Sequence, residues 1–440
     1  MTNTLSPDSD RPRRATEAAA DVFGWLLAVF AVAFTIRVVL ILAGRSYLQT
    51  TKFEVERIAW SLATTGSFAD AYADGSGPSA HAAPLYPLML ALIYRALGKD
   101  WAGTMAQEVL SSCLASLHYA MLPILARVCG MPVLAGVFGG LLGAVLPVNW
   151  WIQGKGAFEY SLSALWMVIF AILVISIWND RAFGWSNALR LGVLTGVMML
   201  TAPHVGPMFA GIALTGFALF RRSVPPRQLL LFLAIQAAVA AAMLVPWAVR
   251  NMLILGAPVI SRSNVGMELA LSNNDDASPI WDENRAAGLF HRMHPSASVT
   301  DVSRVREVGE VRYNREKMKL ATAWIRSNPG RFAELTIRRV GLFWFPSATR
   351  PWQTAVLAAV TFAGLVGFAR FVPGRTPAAW FFAATWLSYP ISSYGFQMSA
   401  RPRYPIEWSL FLFAGFLAVI VWQRTLPRNA PGTLGPISVR

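Results

Sequence analysis

The stretch "PLYPLMLALIYRALG", residues 84–98, decides the fold. It is apolar enough for lipid, yet it falls short of the about 20 residues that a helix needs to cross a bilayer. If it crosses, every later segment changes side. If it stays at the surface, the polar region around it, residues 44–103, becomes one large outer loop. The charges elsewhere in the chain settle the choice.

The 440 residues are 55% hydrophobic and only 14% charged. Long apolar runs alternate with short basic loops. This is the pattern of an all-α polytopic membrane protein, because helices satisfy every backbone group inside lipid. The net charge of +15 does not indicate a nucleic-acid partner. The arginines sit mainly in short loops between apolar runs, where the positive-inside rule puts them. Cys113 and Cys129 are too few for a disulfide framework and lack metal-ligand spacing. The polar first residues contain no cleavable signal, so the first apolar run reads as an uncleaved anchor.

Arg11, Arg13 and Arg14 place the N-terminal tail, 1–21, in the cytoplasm. Spans are expected at 22–43, 104–126, 132–147, 158–178, 187–202, 204–220 and 228–249, and then at 352–371, 378–391 and 406–423. Arg221, Arg222 and Arg227 form the clearest cytoplasmic loop, Arg181 and Arg190 another. Counting back puts Arg127 inside, and the count closes only if 84–98 does not cross. Arg370 and Arg375 also lie inside, and Arg424 and Arg428 hold the C-terminal tail, 424–440, there. The result is about ten spans in three blocks. An N-terminal module, 22–248, carries the first outer loop, 44–103. A large outer loop fills 249–351, and the C-terminal spans occupy 352–423. Smaller outer loops lie at 148–157 and 392–405.

Acids are scarce, 23 in all, and gather in the outer loops. Glu54 and Glu56 lie in a stretch where apolar Phe53, Ile58, Ala59 and Leu62 recur at helical spacing, and Gly66 reads as a helix stop. Residues two apart do not share a helix face. The two carboxylates therefore have different surroundings: one faces a cavity, the other pairs or faces water. An interfacial amphipathic helix with solvated charges is the plainer reading. Glu159 opens the fourth span, where a carboxylate is costly without a partner; Lys155, one turn away, is the structural alternative to a functional role. Arg37 lies inside the first span and can reach an acid, a phosphate or the interface. His81 is a candidate polar contact. His118 and His204 read as packing or helix-end residues, and the run Asn273-Asn274-Asp275-Asp276 as a turn.

Several local patterns occur in order: "TGSF" (65–68), "GPSAHAAPLYPLMLAL" (77–92), "GVLTGVMMLTAP" (192–203), "VPWAVRNMLILG" (245–256), "SNVGMELALSNN" (263–274) and "RPRYPIEW" (401–408). Together they resemble the polyprenyl-phosphate-sugar-dependent glycosyltransferases of GT-C fold, which include the bacterial aminoarabinose transferases and the protein O-mannosyltransferases. The resemblance runs from about residue 20 to residue 423. It implies a GT-C-like membrane fold with outer juxtamembrane helices. It also implies an acidic catalytic residue after the first span, a second acid near the second outer loop, and a cavity at the outer face of the bacterial inner membrane. Family members usually carry an Asp about fifteen residues before the "TGSF" turn; here that spacing falls near Thr51, and Glu54 stands one turn later.

Transfer from a polyprenyl-phosphate sugar needs a base for the acceptor hydroxyl or amine. Glu54 is the first candidate, with Glu56 as fallback and Glu159 as the second acid. The leaving phosphate needs cationic or donor partners. Arg57, Arg250 with Asn251, Arg401 and Arg403, with Tyr404 beside them, are candidates; Arg250 equally suits a headgroup anchor. His81 and Arg37 are expected at the substrate cavity. A divalent cation, Mg or Mn, held by Glu54 and Glu159 fits carboxylate chemistry, although no ligand cluster demands one. The expected partners are the bilayer, the lipid-linked sugar, and a glycan, lipid or protein acceptor. The alternatives are a transporter or flippase for a lipid-linked glycan, which should line its spans with charge, and an inactive relative.

Overall fold

The computed structural model describes residues 10–49, 51–146, 150–347 and 350–425. Residues 1–9 and 426–440, with Arg428, part of the expected N-terminal tail and most of the C-terminal one, and Val148 in the second outer loop lie outside the described residues. Among the described residues every regular element is a helix. The N-terminal part runs α1 (Asp10–Gly44), α2 (Glu54–Thr65), α3 (Leu85–Leu97), α4 (Trp101–Ala120), α5 (Leu122–Val128), α6 (Val133–Val145), α7 (Trp150–Lys155), α8 (Tyr160–Asp180), α9 (Trp185–Thr201), α10 (Gly206–Phe220) and α11 (Pro226–Leu255). Six helices then fill the segment expected as the large outer loop: α12 (Val265–Ser272), α13 (Trp281–Ala286), α14 (Leu289–Met293), α15 (Val299–Val308), α16 (Glu310–Ser327) and α17 (Pro329–Trp344). Helices α18 (Pro351–Phe371), α19 (Pro377–Ser388) and α20 (Tyr404–Thr425) complete the chain.

Seven helical stretches among the described residues are long and apolar enough to cross a membrane. They are Val22–Gly44, Trp101–Val128, Tyr160–Asp180, Pro203–Phe220, Pro226–Leu255, Pro351–Gly374 and Tyr404–Thr425. The other three expected spans fall on the shorter helices α6, α9 and α19.

Helix α3 has 13 residues, about 20 Å at 1.5 Å per residue, against a hydrocarbon core of about 30 Å. Its Tyr86, Leu90 and Tyr94 pack on Val55, Ile58 and Ala59 of α2. Leu88 and Leu92 on its other face are exposed. It therefore forms a hairpin with α2. Helix α2 stops where the sequence predicts, at Gly66, whose φ of 74° continues poorly as helix.

The deepest helix is α20. It is apolar on all sides, as a helix surrounded by other helices must be, and it packs on α6, α8 and α18. Small residues permit that closeness: a Cβ on Gly415 would stand 2.2 Å from the Ala135 carbonyl of α6. Helix α11 lies at the periphery, with Val245, Val249 and Leu253 exposed.

The charge-rich stretch 307–343 is broken twice. Gly309 takes φ 79° between α15 and α16, and Pro329 starts α17 afresh. This outer layer is tied to the first outer loop by the buried Glu310. Its carboxylate accepts from Ser79 Oγ (2.6 Å), the Ala80 amide (2.7 Å) and Ser263 Oγ. The last outer loop joins the same layer. Gln397 N donates to Ser272 Oγ (3.0 Å), and Trp281 N donates to the Met398 carbonyl (2.9 Å). Three loops distant in sequence thus share one rigid surface.

Candidate functional site

These loops enclose a cavity of about 160 Å3. The first turn of α2 contributes Glu54, the start of α8 contributes Glu159, and the first outer loop contributes His81. The large loop adds Arg262, Glu268, Trp281 and His294, and the last loop adds Arg401. Four residues singled out from sequence therefore meet in one place: Glu54, Glu159, His81 and Arg401.

Glu54 is 12% exposed, so it is desolvated but reachable. Ser296 Oγ donates to its Oε1 at 2.6 Å, and His294 Nε2 stands 3.9 Å away. Burial pushes its carboxyl up, but His294, His81, the Ser296 hydroxyl and the Glu54 backbone amide outweigh burial and hold it below the usual carboxylate range. Burial also pushes His81 down to about 4, against the pull of Glu54, so this imidazole is neutral at neutral pH. Its Nδ1 shares a hydrogen bond with Tyr72 Oη at 3.1 Å. Glu268 goes the other way. Burial and the nearby Glu54 charge push it up to about 7, opposed by Arg401 and Arg262. Two carboxyl groups of one cavity are thus driven apart, one ionised and one proton-bearing below about neutrality. Such a division separates acid from base in hydrolytic and transfer sites.

Glu159 is buried and ion-paired with Arg262. The sequence-level alternative, Lys155, turns away to Glu108 (3.5 Å) and the Ser46 carbonyl (3.0 Å). Arg401 lies over the rings of Phe158 (5.2 Å) and Trp281 (4.8 Å), which hold its guanidinium in the cavity wall.

The remaining candidates stand elsewhere. Glu56 turns from the cavity and closes the start of α2: it accepts from the Phe53 amide (3.0 Å), Thr51 Oγ1 (2.6 Å) and Gln107 Nε2 (2.8 Å). Removing such a cap costs about 1 kcal/mol. Glu56→Ala is therefore expected to lower the thermal midpoint of the purified protein while transfer per folded molecule is retained, as read by parallel melting and activity measurements. Arg57 pairs with Asp74 at 2.5 Å on another face of α2. Arg250 donates to the carbonyls of Ser79 (2.7 Å) and Phe68 (2.8 Å) and so pins residues 68–79 to α11, while Asn251 donates to the carbonyl of Val259 (2.7 Å) and fixes the segment that follows α11. Arg37 is buried inside the bundle, bonded to the Ala33 carbonyl (2.7 Å) and to Gln153. Arg403 is buried at the start of α20 in an ion pair with Glu407, and Tyr404 is buried beside it. His204 shares a hydrogen bond with Tyr389 Oη at 2.9 Å, and Asn273 fastens α12 to the last loop through the Gly395 carbonyl.

Sequence reading passed over Arg262, His294 and Ser296 and gave Glu268 no role. Glu268 sits inside a quoted pattern, and Arg262 immediately precedes it. Their partners, however, lie far along the chain: Arg262 is 103 positions from Glu159 and Ser296 is 242 from Glu54. No local spacing carries that information.

The donor set does not fit a metal held by Glu54 and Glu159. Arg262 already holds Oε1 of the Glu159 carboxylate, and Ser296 donates to Oε1 of Glu54. Among the described residues no three His, Cys, Asp or Glu side chains could hold a metal ion together.

No protein-family model matches the chain, and no curated protein does. Solved structures do. The chain is similar to the archaeal oligosaccharyltransferase AglB from Archaeoglobus fulgidus in complex with an inhibitory peptide and a dolichol-phosphate, at TM-score 0.53 and 16% identity, over 91% of this chain and 50% of that one. It is similar to the apo form of the Archaeoglobus fulgidus enzyme at TM-score 0.53 and 14% identity, over 91% and 51%. A third structure of that enzyme, in complex with Zn and sulfate, gives TM-score 0.51 and 16% identity over 90% and 49%. The chain spans about half the length of these structures. The likeness covers nearly all of this chain and shows its architecture: the protein has the GT-C fold, a helical fold with seven helices among the described residues long and apolar enough to cross a membrane.

Proposed function

We propose that the chain is an integral membrane glycosyltransferase that moves a sugar from a polyprenyl-phosphate donor to an envelope acceptor at the outer face of the bacterial inner membrane. The observation that carries this reading is the meeting of Glu54 with Arg401 in one cavity walled by three outer loops. Glu54 takes a proton from the acceptor hydroxyl or amine. The acceptor atom forms a bond to the anomeric carbon as the carbon–oxygen bond to phosphate breaks. The electron pair leaves with the phosphate, and Arg401 faces that charge. Both termini are cytoplasmic in this arrangement. The dolichol-phosphate and acceptor peptide of the neighbouring enzyme's structures support a lipid carrier and a separate acceptor.

A flippase would need charge along a path through the spans. Arg37, the conspicuous intramembrane cation, is instead engaged by Gln153 and backbone carbonyls.

In a deletion strain, mass spectrometry of envelope lipids and glycans is expected to reveal accumulated polyprenyl-phosphate sugar together with loss of one sugar from an acceptor. Unchanged donor and acceptor pools would contradict the reading. The accumulated lipid is also the assay substrate. Glu268, proton-bearing below about pH 7, supplies a hydrogen bond to the departing phosphate. Transfer should therefore decline as pH rises through about 7. Glu268→Gln keeps a donor that does not ionise, so its kcat/KM profile should lose that alkaline decline. An unaltered decline would remove Glu268 from this role.

A further inference from the structure

We propose that Arg262 is the resident cation of this cavity, so that a lipid-linked phosphate is bound there without a divalent metal. The proposal rests on the glycosyltransferase reading and adds to it what neutralises Glu159 and the phosphate.

Glu159 is nearly closed off, its side chain 4% exposed, while the Arg262 side chain is 21% exposed. One edge of the guanidinium is thus spent on Glu159 and another remains open to the cavity. The Arg262 Nε is buried with no hydrogen-bond partner, so the donor set of this side chain is incompletely used. A guanidinium offers five N–H groups in a fixed fork that suits phosphate oxygens. Arg401, held over Phe158 and Trp281, is the second guanidinium of the same cavity. A divalent ion at Glu159 would have to displace a partly buried guanidinium already paired there. A fixed Arg also differs from a metal in kind: it cannot be removed by a chelator.

The test uses the full-length protein in nanodiscs with undecaprenyl phosphate as probe, read by tryptophan fluorescence, with Trp281 in the cavity wall. Wild-type protein should bind equally well in EDTA and in Mn2+. Arg262→Ala in EDTA should bind roughly tenfold or more weakly, the worth of a charged hydrogen-bonded contact. Mn2+ should restore part of that loss through the freed Glu159 carboxylate, and should fail to do so in R262A/E159Q. Wild-type binding that needs a divalent ion overturns this inference and leaves the glycosyltransferase reading standing; this arm requires no variant. R262A that binds as wild type in EDTA overturns it equally. Absence of binding under both conditions overturns the inference and the donor assignment together.

Discussion

Glu54→Gln is expected to reduce sugar transfer by about 10²–10⁴-fold, the usual worth of a positioned general base. The substitution preserves size and a carbonyl oxygen for Ser296, which now donates to Glu54 at 2.6 Å. What it removes is the proton acceptor. The buried neighbours His81 and His294 do not replace it as placed, because His81 is already bonded to Tyr72 and His294 is stacked on Phe290 at 4.2 Å. In a deletion strain carrying the variant, the missing glycoform should fail to return although the protein reaches the membrane at wild-type level. Immunoblotting and glycan mass spectrometry read both quantities. Full restoration of the glycoform would remove Glu54 from the base role.

The second large effect concerns stability. Arg403 and Glu407 form an ion pair one helical turn apart at the start of α20, with side chains 1% and 2% exposed. Arg403 also donates to the Trp344 carbonyl (2.8 Å) and to Thr361 Oγ1 (2.7 Å), which joins α17, α18 and α20. Glu407→Leu deprives a buried guanidinium of that carboxylate. Breaking a buried pair from one side costs about 3–5 kcal/mol, whereas replacing both members with apolar groups is often close to neutral. The single variant should therefore lower the unfolding midpoint in detergent sharply, and Arg403→Met/Glu407→Leu should recover much of the loss. A single variant that melts with the wild type would show that the pair contributes little.

These two expectations mark what was legible in the sequence. The apolar runs and arginine loops were enough to locate the helices, because lipid imposes both constraints on each segment separately. The short run 84–98 reads as a juxtamembrane or re-entrant helix from the charge count on either side, and the structure folds it into α3, packed on α2. The carboxylates Glu54 and Glu159 were conspicuous for being acids in a chain with few, and both face the cavity.

The arginines were harder to assign. A guanidinium at a membrane exit serves equally to bind a phosphate, anchor a headgroup or clamp a loop, and sequence does not separate these uses. Arg250 clamps the Phe68 and Ser79 carbonyls, and Arg403 is sealed inside the bundle. Arg57 turns to Asp74, although it shares the helix with Glu54. Arg262 drew no attention, since its partner is set by the packing of α8 against the outer layer. The same holds for Ser296 and His294, which reach Glu54 from the far end of the large loop.

The most direct test of the account is a structure of the full-length protein with undecaprenyl phosphate bound. The account predicts the phosphate in the cavity beside Glu54, facing Arg401, with the prenyl chain leading toward lipid. A phosphate seated at another face, such as the groove lined by Lys52, Arg57 and Lys99, would contradict it.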